Sequence, residues 1–148
     1  MKSIFVINGP NLNMLGKRET NIYGNKTLKQ IESECIKQCE KINFSINFFQ
    51  SNSESEIVEK IQSIATHFDG LIINAAAFTH TSISIHDSLK LLNIPVIEIH
   101  ISNLHKREEF RRHSMISPLA NGVIFGFGPN VYNIAIYALQ IGWENENQ

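Results

Sequence analysis

The sequence lacks the features that mark several large classes of protein. Only two of its 148 residues are cysteine, too few for the disulfide framework of a small secreted domain. No apolar run approaches the roughly 18 residues that a membrane helix needs. Its 13 Lys and Arg nearly balance 14 Asp and Glu, so a net charge of −1 gives no field favouring nucleic acid or membrane. We therefore expect one globular domain, residues 1–148, with neither nucleic acid nor a membrane as a partner.

Motifs for common cofactors and metals are also missing. There is no GxxxxGK[ST] phosphate loop, and Gly126-Phe127-Gly128 lacks the third glycine of a dinucleotide fingerprint and follows the last predicted strand. His80, His86 and Asp87 could suggest a metal site, but their spacing matches no established ligand pattern. We therefore expect no cofactor and no metal.

The two cysteines and the N-terminus point to the cytoplasm. Cys35 and Cys39 lie one helical turn apart, but no second pair of ligands completes a metal site. We interpret them as reduced, partly buried thiols, which suit a reducing compartment. The opening MKSIFVING has no small-residue cleavage site and predicts a first strand rather than a signal peptide.

Short apolar runs alternate with amphipathic ones along the chain. The apolar runs predict strands at Ile4–Ile7, Phe44–Phe49, Gly70–Ile73, Pro95–Ile99 and Gly122–Phe127. Helical spacing predicts helices at about Thr27–Lys41, Ser53–Phe68, Ser82–Leu92, Lys106–His113 and Asn130–Gly142. Near-continuous apolar strands alternating with helices predict an α/β fold, a flavodoxin-like doubly wound five-stranded parallel sheet with helices on both faces.

Helix ends carry their own signals. Thr27 with Gln30, and Ser53 with Glu56, have the spacing of capping boxes at two predicted helix starts. The tail WENENQ is polar, and we expect it to fray.

Polar side chains follow most of the predicted strands. In doubly wound folds, ligands bind outside the C-terminal ends of the strands. The loops there are NGPNLNMLGKRETNIYG after the first strand, NAAAFTHTS after the third, HISN after the fourth and GFGPN after the fifth. We therefore expect the functional site in these loops.

The candidate residues in these loops each have a structural explanation as well. A loop tyrosine such as Tyr23 often packs a turn, Arg18 could be solvated, and His100 could be a satisfied core histidine. Glu98 lies two residues before His100 and shares its strand face, so its carboxylate can orient the imidazole and stabilise its charged form. Together these groups fit proton abstraction beside a carbonyl, with an acid that protonates a leaving group.

The charged stretch HKREEFRRH predicts a solvated helix face. In a helix, Glu108 and Arg112 form a favourable i, i+4 pair. Arg111 has no such partner, because residue 107 is another arginine. An unpaired guanidinium near strand ends is a candidate binder of anions or polyols.

Four motifs of this chain resemble those of the type II 3-dehydroquinate dehydratase family. They are NGPNLNMLGKRETNIYG, INAAAFTHTSISIHDSL, IEIHISNLHKREEFRRHS and GVIFGFGPNVYNIAI, which follow in family order from Asn8 to about Ile136. The resemblance implies reversible anti elimination of water from 3-dehydroquinate to 3-dehydroshikimate through an enolate, in the shikimate pathway. It also implies no metal, no Schiff base, and homotrimers that assemble into a dodecamer.

The resemblance assigns catalytic roles to five residues. Tyr23 matches the base that takes a proton from C2, and Arg18 matches the lid arginine that favours the phenolate, with Gly16 and Gly24 as hinges. His100 matches the acid that protonates the departing C1 hydroxyl, and Glu98 matches the residue that orients it. Asn11 matches a residue that helps stabilise the enolate through an ordered water.

Other residues match the substrate-holding positions of the family. Ile101 and Ser102 would bind the substrate carboxylate through their backbone N–H groups and the Ser102 hydroxyl. Asn74, His80 and Arg111 would make further contacts to the carboxylate and the ring hydroxyls. Asp87 matches a residue that reaches the site of a neighbouring subunit. The chain departs from the family pattern at Phe78, His86, Val131 and Thr20, which bears on the lid and on subunit contacts.

Two rival hypotheses remain open from the residues alone. The unrelated type I enzymes use a lysine Schiff base, which needs a buried lysine, whereas Lys17 and Lys106 stand in charged surroundings. A flavodoxin-like ligand-binding protein without turnover would keep the pocket, but would need neither the base nor the acid.

Overall fold

A computed structural model describes residues 1–147 and contains a sheet of five parallel strands. The strands are β1 Ser3–Asn8, β2 Ser45–Gln50, β3 Gly70–Asn74, β4 Val96–His100 and β5 Gly122–Phe125. Their order across the sheet is β2-β1-β3-β4-β5. This order is that of the flavodoxin-type doubly wound sheet, and it confirms the predicted fold class. Each observed strand lies within two residues of its predicted bounds.

Five α-helices connect or cover the strands. They are α1 Thr20–Tyr23, α2 Leu28–Lys41, α3 Glu54–Ile64, α4 Ile83–Leu89 and α5 Val131–Glu146. Shorter 3₁₀ turns lie at Leu12–Met14, Ala76–His80, Leu104–Lys106, Glu109–Arg112, Ser117–Leu119 and Gly128–Asn130. No helix in residues 1–147 is long and apolar enough to cross a membrane.

Two hydrophobic cores form because side chains alternate along each buried strand. In β1, Ile4 and Val6 pack with α2 and α5 on one face, whereas Phe5 and Ile7 pack with α3 and α4 on the other. The covered strands β1, β3 and β4 therefore need the near-continuous apolar sequence that predicted them.

The two predicted capping boxes differ. At the start of α2, Gln30 N–H donates to Thr27 Oγ1 at 3.2 Å, and Thr27 N–H donates to Gln30 Oε1 at 2.9 Å, which completes the box. At the start of α3, Ser53 Oγ accepts from the Glu56 backbone at 3.4 Å, but the Glu56 carboxylate bonds the Ser51 hydroxyl instead. Only the first box is therefore reciprocal.

The last helix runs further than predicted. We expected it to end at Gly142 with a frayed tail, but α5 continues to Glu146. Trp143 is 6% exposed and packs edge-on against Phe44, with ring centroids 5.4 Å apart. The apolar burial of this indole holds the additional turn in place. Gln148, the end of the predicted fraying tail, lies outside the described residues.

The prediction of a charged helix at Lys106–His113 is wrong. The segment forms two separate 3₁₀ turns, Leu104–Lys106 and Glu109–Arg112. In 3₁₀ geometry the neighbours are residues i and i+3. Glu108 therefore accepts from Arg111 Nε at 2.6 Å rather than pairing with Arg112, and Arg111 is not the unpaired cation we expected.

Both cysteines lie inside the core on the α2 side of the sheet. Cys35 and Cys39 are free thiols, 0% and 1% exposed. Burial raises the pKa of Cys35 to about 12 and the pKa of Cys39 to about 11. Thiols this deeply buried and this weakly acidic act as small apolar core residues.

Candidate active site

A pocket of about 200 Å³ lies at the C-terminal edge of the sheet, where the loops after β1, β3 and β4 meet. Nine of the eleven predicted site residues line it: Asn11, Arg18, Tyr23, Asn74, His80, His100, Ile101, Ser102 and Arg111. Of the other two, Glu98 lies directly behind His100, and Asp87 lies elsewhere on the chain. The location follows from the parallel sheet, whose strands all end at this edge.

Glu98 and His100 form a buried pair at the end of β4. Glu98 is 1% exposed, and its Oε2 accepts from His100 Nε2 at 2.5 Å. Burial raises the pKa of Glu98, but the hydrogen bonds from His100, Ser117 and Ser114 outweigh burial and hold that pKa below its usual value. Because Glu98 occupies Nε2, the imidazole has only Nδ1 left to exchange a proton with a ligand.

Two serines that the sequence analysis missed complete the Glu98 environment. Ser114 Oγ donates to Glu98 Oε2 at 2.9 Å, and Ser117 Oγ donates to Oε1 at 2.5 Å. Both oxygens of the buried carboxylate are therefore satisfied, so the ionised form is stable without water. Nothing in the local sequence marks these serines, because they lie 16 and 19 residues from Glu98 and meet it only in the fold.

Two arginines flank the predicted base. Tyr23 ends α1, and the guanidinium carbons of Arg18 and Arg107 each lie 5.2 Å from the centroid of its ring. Arg18 also donates to Glu19 at 2.9 Å. The pocket thus holds two cations against the ring of one tyrosine.

Arg107 is the most important residue that the sequence analysis did not single out. Its side chain is only 13% exposed, it lines the pocket, and its Nη1 donates to Ser102 Oγ at 3.2 Å. We placed it on a solvated helix face, and the helix does not form. The sequence signal that could have found it is its place four residues after the HISN loop at the end of β4.

The segment between Gly16 and Gly24 carries Arg18 and Tyr23 over the pocket. Both glycines have positive φ, +84° and +83°, which L side chains rarely adopt. Asn11, which precedes this segment, also has positive φ, and its backbone N–H donates to Asn52 Oδ1 at 2.9 Å. The conformation of this segment therefore depends on local backbone choices as well as on packing.

Asn74 and His80 each make a side-chain hydrogen bond to a residue that does not line the pocket. Asn74 Nδ2 donates to Tyr132 Oη at 3.2 Å. His80 Nδ1 lies 2.7 Å from the backbone oxygen of His113, so the neutral ring carries its proton on Nδ1 and leaves Nε2 as an acceptor. Burial lowers the pKa of His80, partly offset by this backbone bond, and therefore favours the neutral form.

Asp87 does not reach the pocket of its own chain. Its side chain, on α4, is 63% exposed, and its Oδ1 lies 3.7 Å from Nζ of Lys90. Its neighbour His86, a departure from the family pattern, bonds the Met115 backbone oxygen through Nδ1 at 2.5 Å. No group of three or more potential metal ligands is present within residues 1–147.

The other departures from the family pattern are accommodated without a change in the fold around the pocket. Val131 is fully buried and begins α5 directly after the Gly128–Asn130 turn, one residue later than predicted. Thr20 is the first residue of α1, and Phe78 packs at the margin of the core beside α3 and α4. None of them moves a predicted pocket residue out of the pocket.

Comparison with known proteins decides the family. The model of the family described as dehydroquinase class II matches residues 2–140. The chain belongs to this family. The 3-dehydroquinate dehydratase of Francisella philomiragia is 56% identical over 133 residues, which cover 90% of each chain. The 3-dehydroquinate dehydratase 1 of Agrobacterium fabrum is 52% identical over 137 residues, 93% of this chain and 94% of its own.

Solved structures agree with the family assignment. The type II dehydroquinase of Butyrivibrio crossotus superimposes with a TM-score of 0.91 at 44% identity, covering 94% of this chain and 97% of its own. A 3-dehydroquinate dehydratase-like protein from Bifidobacterium longum gives a TM-score of 0.71 at 30% identity, over 94% of this chain and 95% of its own. The family predicted from the four motifs is therefore confirmed.

Proposed function

We propose that this pocket eliminates water from 3-dehydroquinate, with Tyr23 as the base and His100 as the acid. As a member of its family, the chain has the activity of a type II 3-dehydroquinate dehydratase, a hydro-lyase of the shikimate pathway. The observation that carries the assignment of roles is a phenol with two guanidinium groups against its ring, in the same pocket as an imidazole hydrogen-bonded to a carboxylate.

The first step is removal of a proton from C2, beside the C3 ketone. A tyrosine in water ionises near pH 10 and is a weak base at neutral pH. Tyr23 takes this proton, and the guanidinium groups of Arg18 and Arg107 both lie against its ring. The electrons then form an enolate, which Asn11 stabilises through an ordered water.

The second step is loss of the C1 hydroxyl. His100 protonates the departing oxygen from Nδ1, because Glu98 holds Nε2. Glu98 fixes the orientation of the imidazole ring, so the proton is delivered in one direction. Base and acid act on opposite faces of the substrate, which gives the anti elimination.

The remaining pocket residues hold the substrate. Ile101 and Ser102 receive its carboxylate through backbone N–H groups and the serine hydroxyl. Asn74 and Arg111 contact the carboxylate and the ring hydroxyls, and His80 accepts from a ring hydroxyl through Nε2. Arg111 serves this role although Glu108 also binds it, since the pair lines the pocket together.

A Schiff-base route has no residue to carry it. No lysine lies among the pocket-lining residues of the described chain, and a Schiff base needs one at the reacting carbonyl. We therefore assign the elimination to acid–base chemistry rather than to a Schiff base.

We further propose that all 148 residues form one catalytic domain that works in the cytoplasm as a homo-oligomer, trimers assembled into a dodecamer. The exposed face of α4 supports assembly, because Ile83 is 61% exposed one helical turn before Asp87. Asp87 is exposed and does not line the pocket of its own chain. In the assembly it reaches the pocket of a neighbouring subunit.

The test of function is absorbance of the enone product when chelator-treated protein meets 3-dehydroquinate, with Tyr23→Phe alongside. We expect the variant to lose about 10²–10⁴-fold in kcat, the usual contribution of a positioned acid or base. Ligand binding, measured by calorimetry, should change little, because the ring remains. Tyr137→Phe, which changes an exposed tyrosine on α5, is the matched control.

Two outcomes would contradict this proposal. Equal loss of binding and turnover in Tyr23→Phe would assign the residue to packing. Tight binding of 3-dehydroquinate without turnover by the unsubstituted protein would favour the ligand-binding alternative. Borohydride with substrate should leave no covalent adduct.

A further inference from the structure

A chain of buried hydrogen bonds lies beneath the pocket, on the α5 side of the sheet. Asn8 and Asn74 end the neighbouring strands β1 and β3 and are paired in register. Tyr132, in the first turn of α5, is 0% exposed and places its hydroxyl between them. Its Oη donates to Asn8 Oδ1 at 2.5 Å and accepts from Asn74 Nδ2 at 3.2 Å.

The direction of these bonds is fixed. Burial raises the pKa of Tyr132, so the hydroxyl keeps its proton and has one hydrogen to give. It gives that hydrogen to Asn8 and therefore can only accept from Asn74. The Asn74 carboxamide cannot rotate by half a turn without facing its oxygen toward a lone pair of the phenol.

The other end of the Asn74 side chain is also tied. Its Oδ1 accepts from the Ala76 backbone N–H at 3.3 Å. Ala76 has φ of +51°, a left-handed conformation that is strained for a residue with a side chain. Ala76 lines the pocket, so one hydroxyl supports both the amide and the strained wall beside it.

These bonds leave a defined group free. Of the two hydrogens on Asn74 Nδ2, one goes to Tyr132 and the second has only the pocket side left. The arrangement also leaves Asn8 Nδ2 buried with no hydrogen-bond partner among the described residues. A buried donor without a partner destabilises the fold.

We propose that Tyr132 is a positioning residue for the reaction, which orients the Asn74 carboxamide so that its free N–H meets a substrate hydroxyl. This inference rests on the proposed role of Asn74 in holding the substrate. Tyr132 touches no substrate atom and acts only through Asn74 and the Ala76 wall.

The test is a double-mutant cycle of Tyr132→Phe with Asn74→Ala, measured as kcat and KM on 3-dehydroquinate. The phenylalanine keeps the ring in the core and removes only the hydroxyl. We expect Tyr132→Phe alone to lower kcat/KM about tenfold, mostly through KM, as the loss of one oriented hydrogen bond would. In the Asn74→Ala background the same change should lower kcat/KM less than twofold.

The variant Asn8→Ala is a second test of the same hydrogen-bond network, at its other end. It removes the acceptor that holds the Tyr132 hydroxyl and leaves Tyr132 and Asn74 unchanged, so it serves if Tyr132→Phe does not fold. We expect a smaller loss of kcat/KM than in Tyr132→Phe, and again almost no further loss when Asn74 is already alanine. Tyr137→Phe on the same helix controls for loss of a tyrosine hydroxyl outside the network.

Two results would overturn the inference. Losses that multiply in the Tyr132→Phe, Asn74→Ala protein would show that Tyr132 acts independently of Asn74, as a purely structural residue would. An unchanged kcat/KM in Tyr132→Phe would show that the hydroxyl does not matter. Failure of the proposed function is distinguishable, because it would appear as absent turnover in the unsubstituted protein.

Discussion

Arg107 and Arg112 belong to the same short segment, yet their surroundings differ. Arg107 is mostly buried against Tyr23 and Ser102, whereas Arg112 reaches the backbone oxygen of His105 outside the pocket. A cation fixed beside the proposed base stabilises charge where the reaction needs it, and an exposed one does not.

We therefore expect Arg107→Ala to lower kcat about 10–10³-fold, in the range seen when one electrostatic contact to a reacting group is removed. Arg112→Ala should retain kcat within about twofold. Steady-state kinetics on 3-dehydroquinate compare the two directly. Similar losses in both variants would mean that total positive charge, and not the contact with Tyr23, matters.

Ser117 provides a test of how the fold keeps Glu98 ionised. Removing its hydroxyl leaves one buried carboxylate oxygen without a donor, and a hydrogen bond to a charged group contributes about 1.5–3 kcal/mol. We expect Ser117→Ala to lower the free energy of unfolding by about that amount at pH 7, measured with urea at one protein concentration.

The pH dependence has a definite sign. The pKa of Glu98 is lower in the folded protein, so its contribution to stability is present above its unfolded pKa and is lost as the pH falls through the folded value. The difference between Ser117→Ala and the unsubstituted protein should therefore shrink below about pH 4. Ser63→Ala, which removes an exposed hydroxyl on α3, is the control. A difference independent of pH would show that the serine serves packing alone.

At the scale of elements, the segment from Gly16 to Gly24 offers a matched pair of substitutions. Both glycines have positive φ, so alanine at either costs about 1–2 kcal/mol in backbone strain. At Gly16 a Cβ would also lie 2.9 Å from the backbone oxygen of Asn25, whereas at Gly24 the nearest atoms are 3.9 Å away on Pro129.

Gly16→Ala should therefore reduce kcat/KM more than Gly24→Ala does, because only the first must move backbone to make room. Kinetics and thermal unfolding of both variants would show whether the loss is in activity or in overall stability. If Gly24→Ala were the more damaging change, the hinge at the α1 end would control the segment instead.

At the scale of the whole molecule, Asp87 tests whether the site is shared between subunits. Tyr23→Phe and Asp87→Ala should each be nearly inactive alone if a neighbour supplies Asp87. In randomly mixed oligomers, about a quarter of the sites would combine an intact Tyr23 with an intact Asp87 from the next subunit, by simple assortment in a closed ring.

We expect co-expression of these two variants to restore about a quarter of the activity. The matched control is Tyr23→Phe with His100→Ala, two residues of one pocket, whose mixture should stay inactive. No recovery in the first mixture, with both proteins shown to assemble together by sedimentation, would contradict the shared site.

Local signals in the sequence predicted the elements that depend on them. The α2 capping box and the buried strands need only neighbouring residues or apolar runs, so Thr27 with Gln30 and the five strands were found. The segment after β4 was predicted as an α-helix but forms 3₁₀ turns. The neighbour of residue i is i+4 in an α-helix and i+3 in a 3₁₀ turn. That shift decides whether Glu108 binds Arg111 or Arg112.

By itself, the sequence determined the α/β fold, the edge of the sheet where the pocket lies, and the family. These follow from alternating apolar runs and from motifs contiguous in the chain. Only the tertiary structure decided which distant side chains satisfy the buried polar groups: Ser114 and Ser117 on Glu98, Arg107 beside Tyr23, and Tyr132 under Asn74. The physical reason is that a buried polar group must find a partner in space, and sequence spacing does not encode which one it finds.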